Sequence, residues 1–506
     1  MGEDSLFHSR KAKITAIVII SVVAVVSLVF VFLCGPMPMR VDWTKVHKVE
    51  TNVKLLTPFA DGKPAELIKE DADGNVDESD WKILQFTDLH YGDKMKENEN
   101  TLNKMLDSIY AEKPDYVIMT GDIVTSIRGR SRIIQLCNIF EKLGIYWTYI
   151  IGNHEGDQLL ALSRKELMDI CNKYPHCLVD NTVKYTEKDK EAVWGNGNCV
   201  VNLLGKDKKV VQSMIFLDSG DAISRADADR LGVSYKSYDY LKENQKQWYI
   251  EQVNAAVAQN ANVKTMLFIH IPLVEQDALT YVRQSEYAPS DEKSNRVVLL
   301  SEQPNYIDTV STVDMTEEEQ QAFQAAKIAV QEGKVVSFSL GKNKGKVTVY
   351  SADYKKVEGS QRVLDNQVIG FFVLKDGWSY AKGTGVYEGC CSSDYNNGMY
   401  ELMKSMKAHV NAMFCGHDHV TNSVLYESGI YSKDNSPVYL CYGFCGGYAT
   451  YSLYTHDMSK DPDELKGYCI IYIHEDSSFD YYGVQYTDPS VKTPYILGNL
   501  PVEKAS

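Results

Sequence analysis

The sequence predicts an α/β protein, a β-sandwich flanked by helices and preceded by one transmembrane helix. Short apolar runs alternate with amphipathic stretches of helical spacing, which is typical of α/β folds. Most of these runs end at Asp, Asn or His, which indicates a functional site along one edge of a sheet. A long uncharged run near the N-terminus predicts the membrane helix. The 506 residues are 44% hydrophobic and 24% charged, an ordinary globular composition.

The predicted membrane helix spans residues 14–33, a length that covers roughly 30 Å of bilayer core. The basic residues that precede it are Arg10, Lys11 and Lys13. Only Arg40 follows it closely, so the positive-inside bias predicts a cytoplasmic N-terminus with the rest of the chain extracytoplasmic. A cleaved signal peptide, whose apolar core is usually about 7–15 residues, is one alternative. A lipoprotein cysteine at Cys34 is another.

The net charge argues against one function, and the cysteine pattern argues against one kind of metal site. The net charge of -15 and the pI near 5.3 argue against a general nucleic-acid binder, which normally presents a basic face. No nucleic-acid partner is therefore expected. The eleven cysteines include no CxxC pair, which argues against a thiolate zinc site.

Six apolar runs are predicted as buried strands because each is short and bounded by turn signals. In chain order they are Lys82–Thr87, Tyr116–Thr120, Ile145–Ile151, Met214–Leu217, Thr265–Ile269 and Val410–Cys415. Helices are predicted between the first three, at Asn98–Glu112 and Ser131–Leu143. A closing hairpin is predicted from Tyr468–His474 and Phe479–Tyr486.

The chain divides into four predicted segments. They are a cytoplasmic tail (1–13), the anchor (14–33), a proline-containing linker and lead-in (34–80), and one domain (81–506). That domain contains an insertion at about 275–365, because the spacing between His270 and His417 is long. Within the insertion, Thr316 and Glu319 form a capping box that predicts a helix to about Gln331. A hairpin is predicted from Lys334–Leu340 and Lys346–Tyr350.

Five short motifs follow predicted strands and contain metal-binding residue types. They are DLH (Asp88–His90), GD (Gly121-Asp122), GNHE (Gly152–Glu155), IH (Ile269-His270) and GHDH (Gly416–His419). Taken singly, each is weak, since such residues are more often turns or hydrogen-bonded core side chains. Five in one chain, each at a strand end, indicate a shared site.

These motifs resemble those of the calcineurin-like metallophosphoesterase family. With DLHYG at Asp88–Gly92 and YGFCGGY at Tyr442–Tyr448, the chain resembles most closely the purple-acid-phosphatase-related phosphatases of plants and fungi. The resemblance implies a metallophosphoesterase-type sandwich. Thr125 stands where the purple enzymes carry a tyrosine, so no iron–tyrosinate colour is expected.

The resemblance also implies a dinuclear metal centre. It assigns one metal ion to Asp88, His90 and His419, and the other to Asn153, His270 and His417. Asp122 would bridge the two ions, and His154 would protonate the leaving oxygen. The mixed nitrogen and oxygen ligands suit Mn, Fe, Zn or Ni equally well. No substrate-binding residue can be assigned from the sequence.

The function so implied is a membrane-anchored hydrolase of phosphate esters, a phosphomonoesterase or phosphodiesterase that uses a metal-activated hydroxide. Its partner would be a phosphorylated small molecule or protein. One alternative is a pyrophosphohydrolase acting on nucleotides or lipid head groups. An alternative of another class is a catalytically silent binding or scaffold protein, for which a degenerate site would be expected, yet all the motif residues are present.

Overall fold

The computed structural model of the protein describes residue 15 and residues 17–28, 41–60, 63–158, 161–342, 344–381 and 385–502. The helices in chain order are α1 (residues 17–28), α2 (Met95–Glu112), α3 (Gly129–Leu143), α4 (Arg164–Cys171), α5 (Arg225–Leu231), α6 (Glu243–Gln259), α7 (Gln284–Tyr287), α8 (Tyr306–Thr309), α9 (Glu317–Gln331) and α10 (Met399–Ser405).

The strands are numbered in the same way. They are β1 (Val53–Thr57), β2 (Ala65–Lys69), β3 (Trp81–Phe86), β4 (Tyr116–Thr120), β5 (Trp147–Ile150), β6 (Cys199–Leu204), β7 (Val210–Phe216), β8 (Lys264–Phe268), β9 (Leu279–Arg283), β10 (Arg296–Leu299), β11 (Val336–Ser339), β12 (Lys346–Tyr350), β13 (Tyr354–Lys356), β14 (Arg362–Leu364), β15 (Gln367–Lys375), β16 (Trp378–Tyr380), β17 (Gly385–Val386), β18 (Val410–Cys415), β19 (Thr421–Asn422), β20 (Val424–Glu427), β21 (Tyr439–Tyr442), β22 (Gly467–Ile473), β23 (Phe479–Gln485), β24 (Thr493–Leu497) and β25 (Leu500–Pro501).

Two large sheets form a sandwich. One has nine strands in the order β1-β2-β6-β7-β8-β18-β21-β20-β16, and the other has seven in the order β25-β24-β23-β22-β3-β4-β5. The main hydrophobic core joins residues of both sheets, such as Ile83 and Ile471 of one and Met214 and Phe414 of the other. The mixed α/β sandwich predicted from the sequence is therefore confirmed.

Helices cover the outer face of the seven-stranded sheet. Apolar residues of α2, α3 and α4 form a second core with the sheet, where Met105, Phe140 and Leu167 are buried. Strands β3, β4 and β5 run parallel with α2 and α3 as their connections, so their carboxyl ends meet at one edge. Strands β7, β8 and β18 are also parallel to one another. This arrangement brings the motifs predicted at the strand ends together.

The chain between β8 and β18 forms two small sheets, which continue past the end predicted for the insertion, at about 365, to Lys375 of β15. Strands β10, β12 and β11 form one sheet, and β15 joins β13, β14 and β9 in the other. Helix α9 begins with the predicted capping box, in which Thr316 and Glu319 bond reciprocally. The predicted hairpin is also present as the antiparallel pair β11 and β12.

The segment 34–80, which its prolines and acidic residues suggested to be a linker and lead-in, contributes two strands to the nine-stranded sheet. Strand β2 pairs in parallel with β6, and β1 lies at the sheet edge. Leu67 and Ile68 are fully buried there. The run AELIK is too short and mixed to predict a strand from periodicity alone, so its burial depends on contacts distant in sequence.

The predicted membrane helix lies partly outside the described residues, which include residue 15 and residues 17–28 of the span 14–33. The predicted tail 1–13 lies wholly outside them. Residues 17–28 are helical with exposed side chains. Within the described part of the chain, none of the helices combines the length and the apolar composition needed to cross a membrane.

Candidate metal centre

All eight residues predicted for the site lie just after strands, at one edge of the sandwich. Asp88 and His90 follow β3, Asp122 follows β4, and the loop after β5 carries Asn153 and His154. From the nine-stranded sheet, the residues that follow β8 and β18 are His270, His417 and His419. The structure brings all of them together.

The backbone turns sharply at these strand ends. Asp88, His90, Asp122 and His417 have positive φ angles of 52°, 45°, 53° and 84°. A left-handed conformation costs a non-glycine residue roughly 1–2 kcal/mol, and such residues cluster at functional sites. Hydrogen bonds hold the turns, because the Asp88 amide donates to Gly121 O at 3.0 Å and the His90 amide to Asp122 O at 2.9 Å.

The first group of candidate ligands is Asp88, His90, Asp122 and His419, whose ligand atoms all lie within 4.8 Å of one another. The Nε2 atoms of His90 and His419 are 3.2 Å apart. His419 Nε2 lies 3.5 Å from Asp88 Oδ1, and His90 Nε2 lies 3.5 Å from Asp122 Oδ2. Two imidazole nitrogens this close fit a shared cation better than a hydrogen bond, in which one nitrogen would have to be protonated.

The second group is Asp122, His270 and His417. His270 Nε2 lies 3.3 Å from Asp122 Oδ2 and 2.9 Å from Asn153 Oδ1, so the amide oxygen joins this group. The opposite ring nitrogen, Nδ1, lies 2.7 Å from Thr120 O. That contact orients the ring so that Nε2 faces the other ligands, which is the orientation a metal ligand requires.

Three buried polar atoms test whether the residues fit a pair of metal ions. Asp122 Oδ2 belongs to both groups, yet within the described residues it accepts no hydrogen bond. Both ring nitrogens of His417 are buried without a partner among those residues. A buried polar atom normally has a partner, and these three unsatisfied atoms belong to the residues of the two ligand groups. The residues therefore fit two metal ions that share Asp122.

The electrostatics of the site is dominated by close imidazoles and carboxylates. Burial alone would raise the pKa of Asp122, but the charge of the adjacent His270, and after it that of His90, hold that pKa well below the usual range. Burial alone would lower the pKa of His270, but the charge of Asp122 raises it to about 9. Burial lowers the pKa of His417 to about 3 and that of His419 to about 4. Those two imidazoles are thus neutral and ready to bind a cation.

His154 is the most exposed of these residues, with 39% of its side chain accessible. Its Nε2 lies 4.0 Å from Asp122 Oδ2, and its Nδ1 is bound to the carboxylate of Asp157. Burial alone would lower the pKa of His154, but Asp122 and the bond to Asp157 raise it above its usual value. The raised pKa favours the protonated form of His154, at the accessible mouth of the site.

Tyr238 also lies against the centre, although no motif in the sequence indicates it. Its ring meets the His417 ring at 87°, with the centroids 4.4 Å apart. Burial raises the pKa of Tyr238 to about 12, with further contributions from Cys391, Asp418, Asp122 and Asp157. The phenol therefore stays neutral over the physiological range.

An ion pair between the partly buried Arg164 and the buried Asp218 holds the loop that carries Asn153 and His154. The guanidinium of Arg164 binds both carboxylate oxygens of Asp218, which follows β7. It also donates to Gly152 O at 2.7 Å and to Ile151 O at 3.3 Å. Asp218, through Arg164, thus helps to position the loop.

Glu155 ties the same loop to the one after β4. Its carboxylate accepts hydrogen bonds from the amides of Ile123 at 2.7 Å and Gly152 at 2.9 Å. It also accepts one from the Tyr149 hydroxyl at 2.6 Å. Burial, and then the charge of Asp122, raises the pKa of Glu155 to about 7.

Asp418, between the two histidines of the GHDH motif, is bonded to residues outside both ligand groups. Its Oδ2 accepts hydrogen bonds from the Tyr442 hydroxyl at 2.5 Å and the Cys391 amide at 3.2 Å. Thr450 is bound to His419 Nδ1 and so orients that ring. These supporting contacts come from residues distant in sequence and match no motif.

Comparisons with known proteins agree with this geometry. A family model described as calcineurin-like phosphoesterase matches residues 82–307. Over 228 residues the chain is 28% identical to an Arabidopsis thaliana protein named probable inactive purple acid phosphatase 14, which covers 38% of this chain and 54% of that protein. Over 230 residues it is 27% identical to probable inactive purple acid phosphatase 29 of the same plant, covering 39% and 55%.

The chain thus spans about half the length of the curated relatives it matches. A solved purple acid phosphatase from yellow lupin (Lupinus luteus) seeds is 10% identical, with a TM-score of 0.32 over 87% of this chain and 62% of that one. The family match and the curated relatives together show that the chain contains a calcineurin-like metallophosphoesterase domain and is homologous to plant purple acid phosphatase-like proteins.

Proposed function

We propose that this protein hydrolyses phosphate esters at a dinuclear metal centre. The observation that carries the proposal is Asp122 Oδ2, a fully buried carboxylate oxygen shared by both groups of ligands and bonded to no donor in the described chain. Asp88, His90 and His419 would hold one ion on one side of it. Asn153, His270 and His417 would hold the other. This is the arrangement that the sequence predicted.

The charge of this centre suits a phosphate substrate. Its ligands include two carboxylates, so two divalent ions would leave a net charge of about +2. That local excess attracts a phosphoryl group despite the acidic chain. When bound, the ions would supply charge to hold the phosphoryl oxygens and to generate hydroxide near neutral pH.

His154 would protonate the leaving oxygen. It is accessible at the mouth of the site, carries a raised pKa and is oriented by Asp157. A histidine acid contributes typically 10²–10⁴-fold to a rate when it lies within hydrogen-bond reach of the leaving group. The substrate would be a phosphorylated small molecule or protein, as a phosphomonoester or a phosphodiester.

The test uses the full-length chain loaded in turn with Mn, Fe, Zn and Ni. An aryl phosphomonoester, a bis-aryl phosphodiester and a dinucleoside pyrophosphate serve as substrates. Metal-dependent turnover that Asp122→Asn abolishes and Asp107→Asn retains would support the proposal. Asp107 is the matched control because it is an exposed aspartate on α2. If the protein hydrolysed only the pyrophosphate, the proposed activity would be that of a pyrophosphohydrolase and not that of an esterase.

A second candidate is a catalytically silent protein that retains the metal site. It is favoured by the names of the two Arabidopsis relatives, both of which include the word inactive. The convergence of all seven candidate ligands and His154 favours activity instead. Two bound ions with no turnover of any of the three substrates would establish the silent protein.

We also propose that residues 14–33 anchor the chain in a membrane with the domain extracytoplasmic. Support comes from the uncharged run and the basic residues on its N-terminal side. Resistance of the protein to alkaline extraction from membranes, with protease access to the domain from outside intact cells, would agree with this. Release into the soluble fraction would contradict it.

A further inference from the structure

We propose that Tyr238 is a substrate-binding residue whose hydroxyl donates a hydrogen bond to a phosphoryl oxygen held at the metal centre. This inference rests on the proposed function and adds to it a residue that would bind the substrate without holding a metal ion. Its ring lies edge to face with that of His417, 4.4 Å between centroids. Tyr238 thus adjoins His417, a member of the second group of ligands.

The hydroxyl of Tyr238 is available to a ligand. The side chain is half-buried, and none of the described residues forms a hydrogen bond with its hydroxyl. A tyrosine that is partly buried beside polar groups usually pairs its hydroxyl with one of them. A donor left unpaired beside a cation site suits an anionic oxygen bound there.

The segment around Tyr238 is held in place before any substrate arrives. The Ile223 amide donates to Ser237 O at 3.1 Å, and the Asp239 amide donates to Asp221 O at 3.0 Å. These two bonds bracket Tyr238 on both sides. The Ser237 hydroxyl also accepts from the amide of Asp394 at 2.8 Å, which fixes the segment to a second loop. A donor fixed in this way loses little entropy when it binds.

His154 and Tyr238 lie beside different metal ligands. The His154 ring is 5.5 Å from that of His90, in the first group, whereas Tyr238 contacts His417 in the second. A phosphoryl group bound between the two groups would therefore lie beside both His154 and Tyr238. Because His154 is the acid for the leaving oxygen, the phenol is left to bind a non-bridging oxygen.

The test compares Tyr238→Phe with the wild-type chain, both metal-loaded. Phenylalanine keeps the ring against His417 and removes only the hydroxyl. Tyr235→Phe is the matched control, since Tyr235 lies three residues away with 63% of its surface exposed. Binding of inorganic phosphate is measured by calorimetry, kcat and KM are measured on the aryl phosphomonoester, and metal content is measured by mass spectrometry.

We expect Tyr238→Phe to weaken phosphate binding and to lower kcat/KM, each by about 10- to 100-fold, with unchanged metal content. Tyr235→Phe should match the wild type. Phosphate affinity in Tyr238→Phe equal to that of the wild type would overturn the inference. Loss of metal ions, or a visible ferric absorption band that Tyr238→Phe abolishes, would overturn it too, because the phenol would then be a ligand.

Failure of the proposed function gives a different result. If the metal-loaded wild type hydrolyses no ester but binds phosphate, the phosphate affinities of the two chains still decide the role of Tyr238. If the wild type hydrolyses the ester and Tyr238→Phe does so equally well, the esterase stands and the inference fails.

Discussion

Gly152 lies where the loop carrying Asn153 and His154 passes over Asp122. A Cβ atom at Gly152 would lie 2.1 Å from Asp122 Oδ1 and 2.4 Å from the Asp122 amide nitrogen. Its φ is not in the left-handed region, so alanine would be strained by contact alone. Relief of the contact to the usual carbon–oxygen distance of about 3.4 Å needs a movement of about 1 Å.

That movement is large for a carboxylate that must serve two metal ions. Ligand distances tolerate only about 0.2 Å, and a 1 Å displacement of reacting groups can cost about 100-fold. We therefore predict that Gly152→Ala lowers kcat/KM on an aryl phosphate at least about 100-fold and lowers the bound metal below two ions. Overpacking should also destabilise the fold by about 1–3 kcal/mol.

Gly156→Ala is the matched control in the same loop. A Cβ atom at Gly156 meets nothing within 4 Å, so this variant should behave as the wild type. The assay measures initial rates, metal content and urea unfolding on all three proteins. A Gly152→Ala protein with two bound ions and activity within threefold of the wild type would refute the steric argument.

Three further predictions follow from neighbouring contacts. Arg164→Met removes the cationic partner of the buried Asp218 and should reduce the free energy of unfolding, measured in urea, by about 3–5 kcal/mol. The control Arg130→Met breaks an exposed 3.8 Å pair with Glu166 and should reduce it by less than about 1 kcal/mol. Asp157→Asn removes a charge and a hydrogen bond that raise the pKa of His154. If His154 is the general acid, the basic limb of the kcat–pH profile should therefore move to lower pH. A limb that does not move would show that His154 is not the acid. Burial, followed by the charge of Asp418, raises the pKa of Glu388 from a usual 4.5 to about 7, so between these pH values the folded state keeps a proton that the unfolded chain loses. The free energy of unfolding of the metal-free protein should therefore fall as the pH rises from 4.5 to about 7. Urea unfolding at a series of pH values should show that Glu388→Gln reduces this fall by roughly 1–3 kcal/mol.

The strand ends of the site could be predicted because local signals determine them. The run YVIMT is fully buried in β4 and is followed by the predicted Gly121-Asp122 turn. This pattern, in which a short apolar run is followed by glycine and a metal-binding residue, spans fewer than ten residues and can be recognised locally. The predicted Tyr116–Thr120 and Val410–Cys415 strands match β4 and β18 at both ends.

The residues that support the site could not be predicted because their partners are distant in sequence. Arg164 meets Asp218 across 54 residues, and Thr450 reaches His419 across 31. Tyr238 lies in a segment with no periodicity, and its place beside His417 depends on how two loops pack. Strands β1 and β2 were missed for the same reason, since β2 gains its burial by pairing with β6 more than a hundred residues later.

The most direct test of a shared centre is low-temperature electron paramagnetic resonance of the manganese-loaded, full-length protein. Asp122 Oδ2 lies in both ligand groups, so two Mn²⁺ ions should share a bridge and give the spectrum of a spin-coupled pair. Asp122→Asn should convert that spectrum to isolated ions or reduce the bound metal. A wild-type spectrum of a single uncoupled ion, or no bound manganese, iron, zinc or nickel at all, would contradict the account.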